Sequence, residues 1–421
     1  MKDSRLQPQW NSLLNRLEVL RTTPYRQIIL FIIPVIVLVS IISIGFAIEG
    51  SQQYALLASS FLHGHLNFLK PIGRAGQDPV FWHGKIYWSE GPFPAIILMP
   101  FEAIFGLFNI FFYQGYLKWL LVIGTWFFIF KIARALRYNK EDSTILAFGF
   151  TLGSVFIGIS SVSASWYYAQ VLNTFLLFWA FYEYFTNRRW WLIGIICALV
   201  FMTRATSTPL LLFFALEIWQ LKLSKSKRFR MLLGLATPVG IAIVLIGLYN
   251  YLRFQSPFNG GYGAQLLYAS SVEAESYGVF NIVHLPANLL SALFRGPVPV
   301  LDNTTSWTLK FPFIASNTYG MSVLFTSPYL LYMFSQKWTD YDARCRRLML
   351  ATACSALLVL SYFGIGIVQF GYRYSLDFLP GMFILFMIIY RKHHRSISRG
   401  MKFLLLGAGV LNFYLLWPMV I

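Results

Sequence analysis

Long apolar runs alternate with short polar connections along almost the whole chain. Most of the runs approach the roughly 20 residues that a helix needs to cross about 30 Å of hydrocarbon, so the pattern predicts an all-α, polytopic membrane chain of about eleven spans, with a range of 10 to 13. The predicted spans are about 27–48, 112–131, 143–161, 165–185, 190–204, 207–221, 232–252, 319–335, 348–367, 376–391 and 403–420. The first follows a basic amphipathic tail and has no small-residue cleavage site near its end, so it is expected to be a retained anchor and not a signal peptide. One apolar run, Phe93 to Ile110, contains Pro94, Pro100 and Glu102 and is read as lying in or dipping into the membrane interface, with Pro94 at its start. Two large external loops result, 49–111 and 254–318, within a single membrane domain of 421 residues that shows no internal repeat.

Charge orients this array. Of the 34 Lys and Arg residues, 25 fall in six clusters: Lys2 to Arg26, Lys131 to Lys140, Arg188 with Arg189, Lys222 to Arg230, Lys337 to Arg347, and Arg391 to Lys402. Anionic lipid and the membrane potential oppose translocation of positive charge, so these segments and the N-terminus are expected in the cytoplasm of a multi-pass inner (plasma) membrane protein. Composition agrees, with 57% hydrophobic and only 12% charged residues and a mean hydropathy of +0.59. The net charge of +18 therefore reads as topology. Nucleic-acid binding is excluded on the same ground, because the basic residues are divided among short loops and form no single basic face. Cys197, Cys345 and Cys354 form no disulfide framework and no zinc-like spacing.

Nine cations are left over at or near the outer face, and they direct attention there. The first external loop reads IEGSQQYALLASSFLHGHLNF and then GRAGQDPVFWHGKIYWSEGPFPA. Glu49, Lys70, Arg74, Asp78, Lys85 and Glu90 alternate in it with His63, His65, His83 and the aromatics Phe81, Trp82, Tyr87 and Trp88. Such a set suits an anionic ligand with a polar ring, such as a phosphorylated sugar; it equally describes a solvated loop with interfacial aromatic anchors. Arg204 in FMTRATSTP, Arg253 in YNYLRFQSPFNGGYG, and Arg373 with Asp377 in FGYRYSLDFLP lie where helices should meet the same interface. A charge at that depth must snorkel, pair or face a wet cavity, so the three arginines either converge on one anion or serve as interfacial anchors and Arg–Asp pairs. His63 and His65 lie near a helix end expected at Gly64, where capping or packing fits better than metal ligation. Asn303 opens an NTT triplet, a glycosylation signal only in a eukaryotic secretory pathway.

The order of these motifs resembles the GT-C glycosyltransferases, in particular the bacterial branch similar to protein mannosyltransferases and lipid A aminoarabinose transferases. The matching pieces are Glu49 just past the first helix, YALLASSFLHGHL, HGKIYWSEGPFPAIILMPFEAIFG, MTRAT, YNYLRFQSPFNGGYG and FGYRYSLDFLP, spread over about residues 27–391. The resemblance implies interfacial helices in the first external loop and a polyprenyl-phosphate sugar donor. It further implies an external or periplasmic active site and transfer to a glycan, lipid or protein acceptor with inversion. It marks Glu49 as the acidic position that acts as base or helps hold a metal, and Lys85 and Glu90 as the stretch where a cation faces the lipid phosphate. Two departures stand out: Glu49 replaces the usual Asp, and Gln170 or Asn173 stands where the family has a second-loop Asp.

The chemistry of such a transfer distributes the remaining roles. A cationic cradle of Lys85, Arg74, Arg204, Arg253 and Arg373 would stabilise charge growing on the leaving phosphate. Glu49, and after it Asp78, would take the acceptor proton, and Glu90, Tyr87, Tyr372 and Asp377 would contact substrate. No cofactor is required by this reading; a divalent metal is left open. A transporter or flippase, or a polymerase or ligase of lipid-linked glycans, is the alternative class. Transporters usually carry repeats and midplane polar residues, neither of which is clear here.

Overall fold

The structure, a computed structural model, describes residues 52–70, 78–267, 269–302 and 308–420. The predicted first span at 27–48, the N-terminal basic cluster, Glu49, Arg74 and Asn303 lie outside the described residues. The chain is mostly helical, a membrane protein by its apolar helices, and among the described residues three helices are long and apolar enough to cross a bilayer: Gln114–Ala135, Lys225–Phe254 and Arg399–Pro418.

Most of the other predicted spans are helical but short or broken. Ser165–Phe185 is continuous and almost wholly buried, a central post against which Gln114–Ala135 packs, with Gly124 letting the Phe175 ring approach its backbone. Trp190–Thr203 has 14 residues, about 21 Å at 1.5 Å per residue, and lies tightly on Lys225–Phe254. A Cβ on Gly194 would come within 2.6 Å of the Gly234 and Leu235 carbonyl oxygens, so only glycine permits this approach. The predicted span 143–161 divides into Lys140–Thr151 and Phe156–Ser161. That at 207–221 becomes a 3-10 turn, Ala205–Leu210, running into Leu211–Trp219. Predicted spans 348–367 and 376–391 appear as Ala343–Leu360 and Leu379–His393.

Two expectations need correction. The 319–335 segment is not one helix: it starts as the strand Tyr319–Met321 and continues as the short turns Val323–Thr326, Pro328–Leu330 and Leu331–Phe334. Gly320 with a left-handed backbone (φ 86°) and Pro328 account for the interruptions. Nor is the chain purely α, since the described residues include three two-stranded sheets. Pro79–Trp82 and Lys85–Trp88 form an antiparallel hairpin, Tyr319–Met321 pairs in parallel with Gln369–Gly371, and Val298–Leu301 pairs antiparallel with Leu309–Ala315. The first hairpin turns at His83 and Gly84, both at positive φ, the geometry that a two-residue type I′ turn requires.

The Phe93 to Ile110 run forms Phe93–Ile96 and Met99–Gly106, with Pro94 and Pro100 each in a first turn. Together they are too short to cross about 30 Å of hydrocarbon at 1.5 Å per residue. Elsewhere the segments that carry basic clusters meet one another. Arg347 donates to Glu217 at 2.7 Å, Lys402 pairs with Glu141 and Asp142 at 2.8 and 3.2 Å, and Lys392 donates to the Asp340 carbonyl at 2.6 Å. These contacts gather the polar ends of five helices at one end of the molecule.

Candidate functional site

At the other end is a cavity of about 230 Å³ whose lining includes Asp78, Glu90, Arg204, Arg253 and Arg373. Four segments supply them. Asp78 and Glu90 flank the Pro79–Trp88 hairpin, so its two antiparallel strands bring the two carboxylates to the same end. Arg204 caps the C-terminus of Trp190–Thr203, Arg253 lies in the last turn of Lys225–Phe254, and Arg373 opens a 3-10 turn before Leu379–His393. A Cβ on Gly91 would fall 2.1 Å from the Met202 carbonyl oxygen, so the missing side chain lets the residue after Glu90 press against the helix end that carries Arg204. The second external loop closes the side wall: Val80 and Gln265 form an antiparallel bridge, and the Leu266 N–H donates to the Pro79 carbonyl at 2.9 Å.

The three arginines differ in how their charge is met. Arg204 makes a bidentate contact with Asp377, Nε to Oδ1 at 2.7 Å and an Nη2 bond to Oδ2 at 2.9 Å, and Thr206 donates its hydroxyl to the same carboxylate. Behind it Asn173 donates to Ser207 at 2.7 Å, and Ser355 donates to the Thr206 and Asp377 carbonyls at 2.8 and 3.0 Å. Arg204 is thus held by a buried carboxylate, the Arg–Asp pair that the sequence allowed. Truncating Asp377 to Ala leaves that guanidinium buried without its partner. It is expected to cost about 3–5 kcal/mol and to lower the apparent unfolding temperature of the detergent-solubilised protein far more than Asp377→Asn does.

Arg253 and Arg373 have no carboxylate partner among the described residues. Arg253, 4% exposed, donates to the Trp88 carbonyl and to Asn250 Oδ1 (2.8 Å), and its guanidinium lies 3.7 Å from the Tyr249 ring centroid. Arg373 donates to the Tyr374 hydroxyl at 3.0 Å and stands 4.4 Å from that ring and 5.7 Å from Tyr167; Gln170 donates to its carbonyl at 3.3 Å. Carbonyls and ring faces orient a cation without cancelling its charge, so both retain attraction for an anion entering the cavity.

The carboxylates have their own asymmetry. Glu90 accepts from the buried Tyr54 hydroxyl at 2.9 Å. Burial, and after it the nearby Glu90 charge, push the Asp78 carboxyl from its ordinary 3.8 up to about 6, while Arg373 and a hydrogen bond with Trp166 act in the opposite sense. Asp78 also adopts a left-handed backbone (φ 54°), which Asp tolerates better than most residues. A carboxylate near pH 6 in a cavity with unneutralised arginines suits proton abstraction beside an anion.

Four of the expected residues stand apart from this lining. Lys85 is exposed at the far end of the hairpin, opposite Trp82 and next to the turn, and does not line the cavity. Tyr87 is buried against Phe254, Tyr372 is buried and donates to Asn288 at 2.9 Å, and Asp377 lies behind Arg204. His63 bonds the Ser59 carbonyl through Nδ1 (2.8 Å) at the end of Gln53–Leu62, a capping contact just before Gly64. Among the described residues no three His, Cys, Asp or Glu side chains come together as a metal site. The residue reading missed Trp166, Tyr249, Asn250, Tyr262, Gln265, Tyr362 and Tyr374, all in the cavity wall. Tyr249, Asn250 and Tyr262 belong to YNYLRFQSPFNGGYG and Tyr374 to FGYRYSLDFLP, so the motifs contained the signal and the focus on charged groups passed over it.

No protein-family model and no curated protein matches the chain. Among solved structures it is similar to the apo form of an oligosaccharyltransferase from Archaeoglobus fulgidus, with a TM-score of 0.45 and 14% identity over 91% of this chain. The chain spans 55% of the length of that protein. At this degree of likeness the reading of the cavity rests on its own geometry.

Proposed function

We propose that the chain is a GT-C-like membrane glycosyltransferase of about eleven spans, which transfers a sugar from a polyprenyl-phosphate carrier to a glycan, lipid or protein acceptor on the external face. The observation that carries this reading is the cavity in which Arg253, buried, and Arg373, half-buried, both without carboxylate partners among the described residues, stand with Asp78 and Glu90. The motif order read in the sequence supports the same class.

In this reading the acceptor oxygen attacks the anomeric carbon as the bond to the phosphate oxygen breaks. The acceptor proton passes to a carboxylate, and the released negative charge settles on the polyprenyl phosphate. Arg253 and Arg373 oppose that charge in a site with little water to compete. Asp78 is the base that the cavity supports; Glu49 is the alternative from the motif resemblance, and it would act as base or as a metal ligand. One displacement inverts the anomeric centre. Aromatic walls from Trp166, Tyr249, Tyr262, Tyr362 and Tyr374 offer faces to a sugar ring.

The test is transfer by the purified protein in nanodiscs, supplied with synthetic short-chain polyprenyl-phosphate sugars and an envelope extract as acceptor source. A product of inverted anomeric configuration is expected. Failure of the wild-type protein to bind any polyprenyl phosphate would end this reading. Movement of an intact lipid-linked glycan across liposomes, with no bond change, would favour a transporter.

A further inference from the structure

Residues Ile282 to Phe294 are helical throughout: a 3-10 turn to His284, the helix Leu285–Leu289, and a π turn Leu290–Phe294. Their polarity is inside out for a helix in water. His284, Asn288 and Ser291, at i, i+4 and i+7, are buried against the protein. Asn288, wholly buried, donates to the Leu360 and Tyr362 carbonyls at 3.0 and 2.7 Å and accepts from the Tyr372 hydroxyl at 2.9 Å; His284 Nε2 contacts the Gly278 carbonyl at 2.9 Å. The outward face presents Ile282, Val283, Leu290, Leu293 and Phe294, the last 76% exposed. A surface helix in water turns its apolar stripe to the core. The reverse arrangement is favourable where hydrocarbon is the outer solvent.

The hairpin that follows continues this face. Phe311 is 70% exposed and Phe313 is exposed beside it on the Leu309–Ala315 strand. Between them the Pro312 carbonyl accepts a hydrogen bond from the Tyr414 hydroxyl of the Arg399–Val420 helix, which includes one of the three long apolar helices. Tyr414 lies six residues before that helix ends, about 9 Å inward along its axis. The strand is therefore level with the flank of a spanning helix and not above its end. Charged groups occupy the margin: Arg295 lies 5.2 Å over the Tyr319 ring, and Lys310 stands 4.0 Å from Asp302 with both exposed. Basic side chains at that level place their heads among lipid headgroups and water.

We infer that residues 282–302 and 308–315 form a membrane-dipping unit whose apolar face is immersed in the lipid leaflet at the cavity end of the molecule. Ile282 to Phe294 extends about 20 Å, too short for a further span. The sequence pattern had read this stretch as part of an external loop. The unit also borders the cavity, because Phe280 and Tyr362, two of its lining residues, form an isolated bridge just before the helix begins. This inference stands on burial and polarity, independently of any catalytic reading.

Nitroxide labels at Val283→Cys, Phe294→Cys and Phe311→Cys, in a background where Cys197, Cys345 and Cys354 are Ala, test it in nanodiscs; Glu273→Cys serves as a water-exposed reference. Oxygen is expected to collide with the first three labels several-fold more than a water-soluble nickel chelate does, with the order reversed at residue 273. Chelate access at residues 294 and 311 equal to that at 273 would overturn the inference in favour of a water-facing loop. Exclusion of both reagents would overturn it in favour of a protein partner or a second copy of the chain.

Discussion

Arg373→Ala weakens binding of a short-chain polyprenyl phosphate by about ten- to a hundredfold, because a charge-assisted contact to a buried anion is worth roughly 1.5–3 kcal/mol. Arg253→Ala has an effect of the same order, with an added loss of stability because its guanidinium also bonds the Trp88 carbonyl and Asn250. Arg373→Lys keeps the charge but not the planar fork and recovers only part of the affinity. Lys85→Ala and Lys310→Ala change binding little, since both side chains are exposed and neither lines the cavity. Binding isotherms on protein that still elutes as a single folded species give the comparison. Equal losses from Lys85→Ala and Arg373→Ala would remove the cradle from the cavity and return it to the hairpin tip.

Asp78→Asn lowers turnover by roughly a hundredfold, the usual scale for losing a general base, while donor binding stays near its wild-type value. The pH profile gives a sharper readout. A base works ionised, so wild-type turnover rises as pH increases through about 6, well above the range of an ordinary aspartate, and that limb vanishes in Asp78→Asn. Stability moves the other way. A carboxyl raised in the folded state favours folding when protonated, so its contribution is present at pH values below about 4 and is lost as pH rises through about 6. The substitution therefore flattens the pH dependence of the apparent unfolding temperature over that window. Normal turnover by Asp78→Asn, together with collapse in Glu49→Gln, would move the base to Glu49.

How far the site was legible in the sequence differs by residue. Arg204, Arg253 and Arg373 stood out because a charge at the end of an apolar run demands a reason, and that cost is local. Lys85 was marked by the motif resemblance, yet its place in the hairpin depends on pairing: opposite Trp82 beside a two-residue turn, it is carried away from the end where Asp78 and Glu90 stand. Asp377 was read as a substrate contact, and its partner Arg204 lies 173 positions earlier, a separation that no local pattern conveys.

From the sequence alone came the membrane character and the approximate position of most helices, because hydrocarbon thickness acts on each segment by itself. Only the tertiary structure decided which arginines are neutralised, that Asp78 and Glu90 share a cavity with them, and that Ile282 to Phe294 turns its polar side inward. Those outcomes depend on side chains far apart in the chain meeting in one place. Burial, which sets the Asp78 carboxyl near 6 and orients Asn288 toward the protein, is a property of the packed molecule and of no single stretch of it.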